Sequence, residues 1–286
     1  ALANAEADPN TAFGDSISVA LYNRHPRAIS VKAETLDKID YNKVMELYKD
    51  RFADASDFTF IMVGNIDEAT ATPLIEKYLG SLPSTKRNEK FRDVNPDIRK
   101  GLYENNFTRE METAKSSVLM VASGKCKYDQ KNVVLMSMMG QLLNILYTQT
   151  VREDAGGTYG VSCNGSVSKY PEAEGVFQIY FDTDPQRRPQ MVELINKGIS
   201  DFIAQGPKTE DLNKVKEYML KTYQQNQKEN SYWMGILNTM LWEGVDMNKG
   251  YENTVNGISI DDLKKFAKDF FGQKNMIEVS MNSPVK

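Results

Sequence analysis

Two side chains suited to negative charge lie seven positions apart in QTVREDAGGTYGVS, residues 149–162. They are Arg152 and Tyr159, on either side of Gly156 and Gly157. A guanidinium presents a planar fork of donors that fits a carbonyl or a carboxylate. A phenol adds one directional donor. Spacing alone leaves two readings open. In one, the arginine offsets a helix dipole, the glycines cap the helix and the tyrosine is an ordinary strand residue. In the other, the pair faces a common ligand.

Other chemistry-bearing residues are sparse. The single histidine, His25 in NRHPR, is the only one a His-based zinc site or a Ser-His-Asp triad would have to use,. It stands beside a proline in a basic loop, with no nucleophile or carboxylate pattern around it. Cys126 and Cys163 form no C-x-x-C pair and read as isolated free thiols,. A net charge of −4 over 286 residues gives no electrostatic footprint for nucleic acid or anionic membrane,. The most apolar window, VVLMSMMGQLLNIL, falls short of the roughly 20 residues of a bilayer span. The start, ALANAEADPN, lacks an initiator methionine, a basic start and an apolar signal core, so a processed chain or a fragment is expected,.

The elements that must carry Arg152 and Tyr159 follow from periodicity. Residues 129–154 are predicted to form one long helix. Ser137, Gln141, Asn144 and Thr148 make a polar stripe along it at steps of three and four, and Arg152 continues the stripe,. Leu, Met and Ile fill the other faces, with Met136, Met138 and Met139 as core filler, so Arg152 should leave the core at the helix end. Gly156 and Gly157 then stop the helix with left-handed backbone. Tyr159 stands near the start of the next strand beside Gly160, whose missing side chain leaves room for a close neighbour or a peptide.

Around this hinge, LYENNFTRE, SSVLMVASG, TYGVSCNGSVSKY and GVFQIYFDTD read as strands, Asp182 and Asp184 being explained by turn chemistry before Pro185. Two helices follow, and the chain closes on a helix and a strand in ISIDDLKKFAKDFFGQKNMIEVSMNS. On the N-terminal side, LDKIDYNKVMELYKDRF is a helix with Val44, Leu47, Tyr48, Arg51 and Phe52 on one stripe,. FTFIMVGN reads as a short buried strand. DEATATPLIEKYLGSLPS is a helix with Leu74, Ile75, Tyr78 and Leu79 facing inward, and TKRNEKFRDVNPDIRK is a charged linker. Tyr232, Trp233 and Trp242 are expected in core or inter-element packing. Ile39 and Ile258, Asp50 and Asp269, and Phe52 and Phe271 each stand 219 positions apart. This echo suggests a duplication: residues 1–85 as the back portion of a truncated domain, 86–100 as linker, and 101–286 as a complete second domain.

VREDAGGTYGVS, the DRFADASDFTFIMVGNID…PLIEKYLGSLPS block and NRHPR resemble the C-terminal part of the pitrilysin and insulin-degrading-enzyme family of zinc peptidases, the inverzincins, especially bacterial processing-protease-like members. The resemblance spans nearly the whole chain. It implies an α+β fold of pseudo-repeated two-layer α/β units, each with a mainly antiparallel sheet and helices on one face. In the family, zinc is bound in the N-terminal half by an H-x-x-E-H helix and a downstream glutamate. This sequence has no H-x-x-E-H, so no metal ligand is expected here and zinc would belong to the parent protein.

By the same resemblance, Arg152 and Tyr159 are catalytic and substrate-binding, Gly160 is substrate-binding, and Gly156 and Gly157 form the hinge. The pair would position a peptide in a closed two-half chamber and stabilise the oxyanion formed as water attacks it, a kind of donor worth about 3–4 kcal/mol. The implied partners are a zinc-binding N-terminal half, in the same polypeptide or a partner subunit, and peptide substrates. The implied location is the bacterial cell envelope or periplasm. The chain alone is expected to be inactive, and surface left by absent domains to drive self-association. The alternative is a non-catalytic structural or peptide-holding subunit that works without its own zinc. A fold lacking one antiparallel sheet in residues 101–286 would instead point to an unrelated peptide-binding module.

Overall fold

The computed structural model describes residues 2–5 and 7–284, in two compact units. One gathers the residues up to Ser30, Asn95–Tyr223 and those from Met247 on. The other gathers Val31–Val94 and Gln224–Asp246. The helices used below are α1 (Pro9–Tyr22), α2 (Tyr41–Phe52), α3 (Glu68–Tyr78), α4 (Gln130–Tyr147), α5 (Arg188–Gln205), α6 (Thr209–Asn226), α7 (Asn230–Glu243), α8 (Tyr251–Gly257) and α9 (Ile260–Phe271).

The first unit holds a five-stranded sheet of β1 (Leu102–Thr108), β2 (Ser116–Lys125), β3 (Val161–Ser168), β4 (Glu174–Thr183) and β5 (Met276–Asn282). The order is β1-β5-β2-β4-β3, and only the β1–β5 pair is parallel. The one observation that would have favoured the unrelated-module reading, the lack of such a sheet, is therefore not met. β2 is central and buried on both faces, in keeping with the apolar run Val118–Ala122 at its middle,.

On one face, Val118, Met120, Phe177, Ile179 and Phe181 of the sheet share a core with residues of α4, α5 and α9. Met136, Met138 and Met139 are fully buried there, as their spacing predicts. On the opposite face α1 adds a second cover, with Phe13, Ala20 and Leu21 against Val121, Ile277, Val279 and Met281. Two-sided burial is thus found along β5 and β2. Ser162, Asn164, Ser166 and Gln178 keep the β4–β3 side polar and open.

The second unit forms its predicted helices but buries them less than predicted. α2 begins at an Asp40 cap whose carboxylate accepts the N–H groups of Asn42 and Lys43 at 2.9 and 3.1 Å,. α9 has the same twelve-residue length and a Ser259 cap, 219 positions later. Yet Val44, Leu47, Tyr48 and Phe52 of α2, and Leu74, Ile75 and Tyr78 of α3, are exposed. Amphipathic spacing suffices to shape a helix, whereas burial needs a facing layer.

FTFIMVGN also departs from expectation. Residues 58–65 form no strand, and Phe58, Phe60 and Met62 are exposed. An extended segment becomes a strand only through a neighbour's hydrogen bonds, and none is supplied among the described residues. Trp242, expected in packing, is also exposed, whereas the Trp233 indole donates to Gln227 O at 2.8 Å.

The expected linker is not bare. Arg87 bonds the Asp50 carboxylate, and Arg51 pairs with Glu89 at 2.7 Å. Asp54 is buried and accepts the N–H groups of Ser56, Thr85 and Arg87 at 2.9–3.1 Å. The hydroxyls of Ser56 and Thr85 also bind it. Packing and repeat therefore partition the chain differently: contact places α1 with the sheet, whereas the division at 85 and 101 follows the 219-residue echo.

Candidate functional site

The helix carrying Arg152 changes character before it ends. α4 is regular to Tyr147, and residues Thr148–Asp154 continue as a π-helix rather than as the single α-helix predicted. Two threonines account for the loosening. The hydroxyls of Thr148 and Thr150 donate to the carbonyls of Asn144 and Leu146, four residues back, at 2.8 and 2.9 Å. Such back-bonding competes with the α-helical ladder. Wide turns of this kind recur at functional sites.

The polar stripe has a structural duty of its own. Asn144 accepts the N–H of Cys163 at 2.7 Å and donates to its carbonyl at 3.0 Å. Its amide thereby stands in for a neighbouring strand along the exposed edge of β3. At the end of the stripe Arg152 is exposed, and among the described residues it makes no hydrogen bond or ion pair.

The chain then crosses to β3 through residues 155–160. Gly156 adopts φ +57°, a left-handed conformation that favours glycine,. A Cβ on Gly157 would stand 1.9 Å from Met191 Sδ, so any side chain there would require Met191 of α5 to move. The Gly157 N–H donates to Val151 O at 3.1 Å and its carbonyl accepts the Thr183 hydroxyl at 2.5 Å. The Thr158 hydroxyl donates to Asp182 O at 2.6 Å and accepts the Gly160 N–H at 3.2 Å. The Arg187 guanidinium donates to the carbonyls of Ala155 and Gly156 at 2.6 and 2.7 Å.

Tyr159 lies two residues before β3 and is 98% exposed. Gly160 is exposed with open space where a Cβ would point. Arg152 and Tyr159 do not bond each other. They lie on two ends of one pinned turn, each with its donors turned to solvent. The arrangement can offer a cationic fork and a phenol to an oxygen-bearing ligand without first breaking an internal bond.

Sequence reading missed Arg187, Thr183, Thr158 and Met191. One signal was available: Arg187 and Arg188 open α5, although cations at a helix N-terminus oppose its dipole,. Charges so placed need partners elsewhere. Asp182 is likewise more than a turn residue, accepting Ser117 Oγ at 2.6 Å and Tyr180 OH at 2.9 Å. Burial raises the Tyr180 phenol above its ordinary range,.

Metal ligation finds no donor set here. No group of three or more His, Cys, Asp or Glu placed to hold a metal exists among the described residues. His25 Nδ1 accepts the N–H of Arg27 at 3.2 Å, a turn contact. Both cysteines are free and buried, and burial pushes the Cys126 thiol up to about 11 and the Cys163 thiol higher. These residues do not fit a zinc site.

Known proteins place this geometry in a family. The model of the peptidase M16 inactive domain matches residues 38–219. A zinc protease PQQL-like protein of Arabidopsis thaliana is 26% identical over 244 residues, 80% of this chain and 25% of that protein. The chain thus spans a quarter or less of the curated relatives it matches. The crystal structure of the periplasmic protease PqqL from Escherichia coli has the same fold, with a TM-score of 0.83 and 17% identity, covering 99% of this chain and 31% of that one. A peptidase M16 inactive domain from Pseudomonas fluorescens aligns over 100% of this chain and 68% of its own, with a TM-score of 0.76 and 16% identity. Matched through most of its length, and sharing the fold of these structures, this chain belongs to the peptidase M16 inactive domain family.

Proposed function

We propose that the chain supplies the substrate-binding and transition-state-stabilising side of a zinc endopeptidase whose metal-binding half lies outside it. The observation that carries this reading is Tyr159: a phenol 98% exposed, on a turn whose backbone is pinned on several sides. A phenol held open to water on a fixed backbone keeps its donor available to a ligand at little further ordering cost.

In this reading Arg152 holds a peptide carbonyl or a C-terminal carboxylate, and Gly160 lets the peptide backbone approach. The Tyr159 hydroxyl donates to the carbonyl oxygen as negative charge grows there, which lowers the barrier. Zinc, bound by the other half, supplies the activated water. Substrates are peptides enclosed in a two-half chamber, and the chain by itself neither binds zinc stoichiometrically nor cleaves peptides. The other half belongs to the same polypeptide or to a partner subunit. An envelope location is proposed because PqqL of Escherichia coli is described as periplasmic. The division at residues 85 and 101 is proposed as the trace of a duplicated domain.

The test is turnover of the chain reconstituted with its zinc-binding half. Tyr159→Phe is expected to lower kcat by roughly 10²–10³. Its effect on stability should stay within about 0.5 kcal/mol, because the hydroxyl has no partner among the described residues,. An unchanged kcat would leave the non-catalytic, peptide-holding role.

A further inference from the structure

Arg187 and Arg188 are adjacent, yet their side chains go to different places. Arg188 reaches the sheet, donating to Glu278 at 2.8 Å and to Ser280 Oγ at 3.1 Å. Arg187, half-buried, reaches the turn between the π-helix and β3, and both its guanidinium contacts are main-chain carbonyls. Among the described residues it pairs with no carboxylate. A cation at the start of α5 works against the helix dipole, so its place there calls for a compensating duty.

The turn supplies that duty. A helix end leaves its last carbonyls without intrahelical donors. Here three successive carbonyls beyond the π-helix, those of Ala155, Gly156 and Gly157, receive donors from Arg187, Arg187 again and Thr183. One planar guanidinium spans two neighbouring carbonyls, which a lysine ammonium on a flexible stem cannot do with the same geometry. Arg187 is itself fixed: its N–H donates to Asp184 O at 2.9 Å and its carbonyl accepts Met191 N–H at 3.0 Å. Met191 walls the same turn at Gly157. The first turn of α5 therefore both clamps and backs the segment between Arg152 and Tyr159.

We propose that Arg187 is a positioning residue, holding the turn so that Arg152 and Tyr159 are presented in one fixed arrangement. Its importance for turnover rests on the reading given under Proposed function; the clamp itself does not. The Gly157 amide, bonded to Val151 O, is a built-in reporter of the turn.

The experiment is native-state hydrogen exchange on the 286-residue chain carrying Arg187→Met or Arg187→Lys. Arg187→Met is expected to speed exchange at Gly157 by roughly tenfold or more while amides within α4 keep their protection. Arg187→Lys should fall between it and the native chain. Unchanged exchange at Gly157 in a folded Arg187→Met chain overturns the clamp. Should that variant fail to fold, Arg187→Gln, which keeps a polar head but cannot span both carbonyls, takes its place, and unchanged exchange at Gly157 in it overturns the clamp equally. In the reconstituted enzyme, Arg187→Met is expected to lower kcat more than it raises KM, with partial recovery in Arg187→Lys. Faster exchange with unchanged turnover would support the clamp and overturn the catalytic role given to the turn.

Discussion

At the scale of single residues, a side chain's partners separate structural from functional duty. Tyr147 and Tyr159 stand twelve positions apart and show the contrast. Tyr147 is fully buried, with its hydroxyl donating to Ile195 O at 2.8 Å, whereas Tyr159 is almost wholly exposed. Asp54 belongs with the structural group. Hydrogen bonds from Ser56 and then Thr85 hold its carboxyl well below the usual carboxylate range,. A folded-state pKa lowered in this way gives stability that is complete above the unfolded value of about 4 and is lost as pH falls toward the lowered one. Thermal unfolding between pH 6 and pH 3 should show a steeper loss for the native chain than for Asp54→Asn. Parallel curves would mean that Asp54 contributes no such linkage.

At the scale of elements, the junction of α4 and β3 shows how an edge strand is closed without another strand. Cys163 faces Ile179 across β4, while its N–H and carbonyl both go to Asn144. Removing that amide leaves two main-chain groups with no protein partner, at a cost of about 1–3 kcal/mol. Asn144→Ala is therefore expected to lower the urea midpoint with an unchanged slope and to speed exchange at the Cys163 amide. Full retention of both would show the edge to be held by β4 alone. The polar stripe that led the sequence reading to Arg152 is real: Asn144 serves this edge, Gln141 bonds Ser137, and Thr148 bonds back to its own helix. Its last member, Arg152, makes no hydrogen bond or ion pair among the described residues.

At the scale of the whole molecule, the two units differ in how far their apolar faces are covered. In the first, sheet and helices bury Met136, Phe177, Phe181 and Leu263 completely. In the second, the rings of Tyr48, Phe52, Phe58 and Phe60 follow one another at 4.6–6.3 Å while remaining exposed. Contiguous apolar surface of this kind seeks a partner. Self-association is expected to appear as concentration-dependent mass in sedimentation equilibrium, and Phe58→Ser with Phe60→Ser should reduce it. A strictly monomeric native chain at all concentrations would count against this.

What the sequence determined by itself is local. Spacing at three and four positions defined α2, α4 and α9, capping residues set their starts, and Gly156-Gly157 marked the end of the helix before β3. Each of these rests on interactions within a few residues, which a linear pattern records. The motif around Arg152 and Tyr159 also pointed to the family. Tertiary structure alone decided the rest: that Arg187 holds the turn from 31 positions away, that Asn144 closes the β3 edge, and that Phe58 and Phe60 stay uncovered. The physical reason is common to all three. A carbonyl without a donor, an open strand edge and an apolar face are visible in the chain only as needs, and whether a distant segment meets each of them is decided only by the tertiary structure.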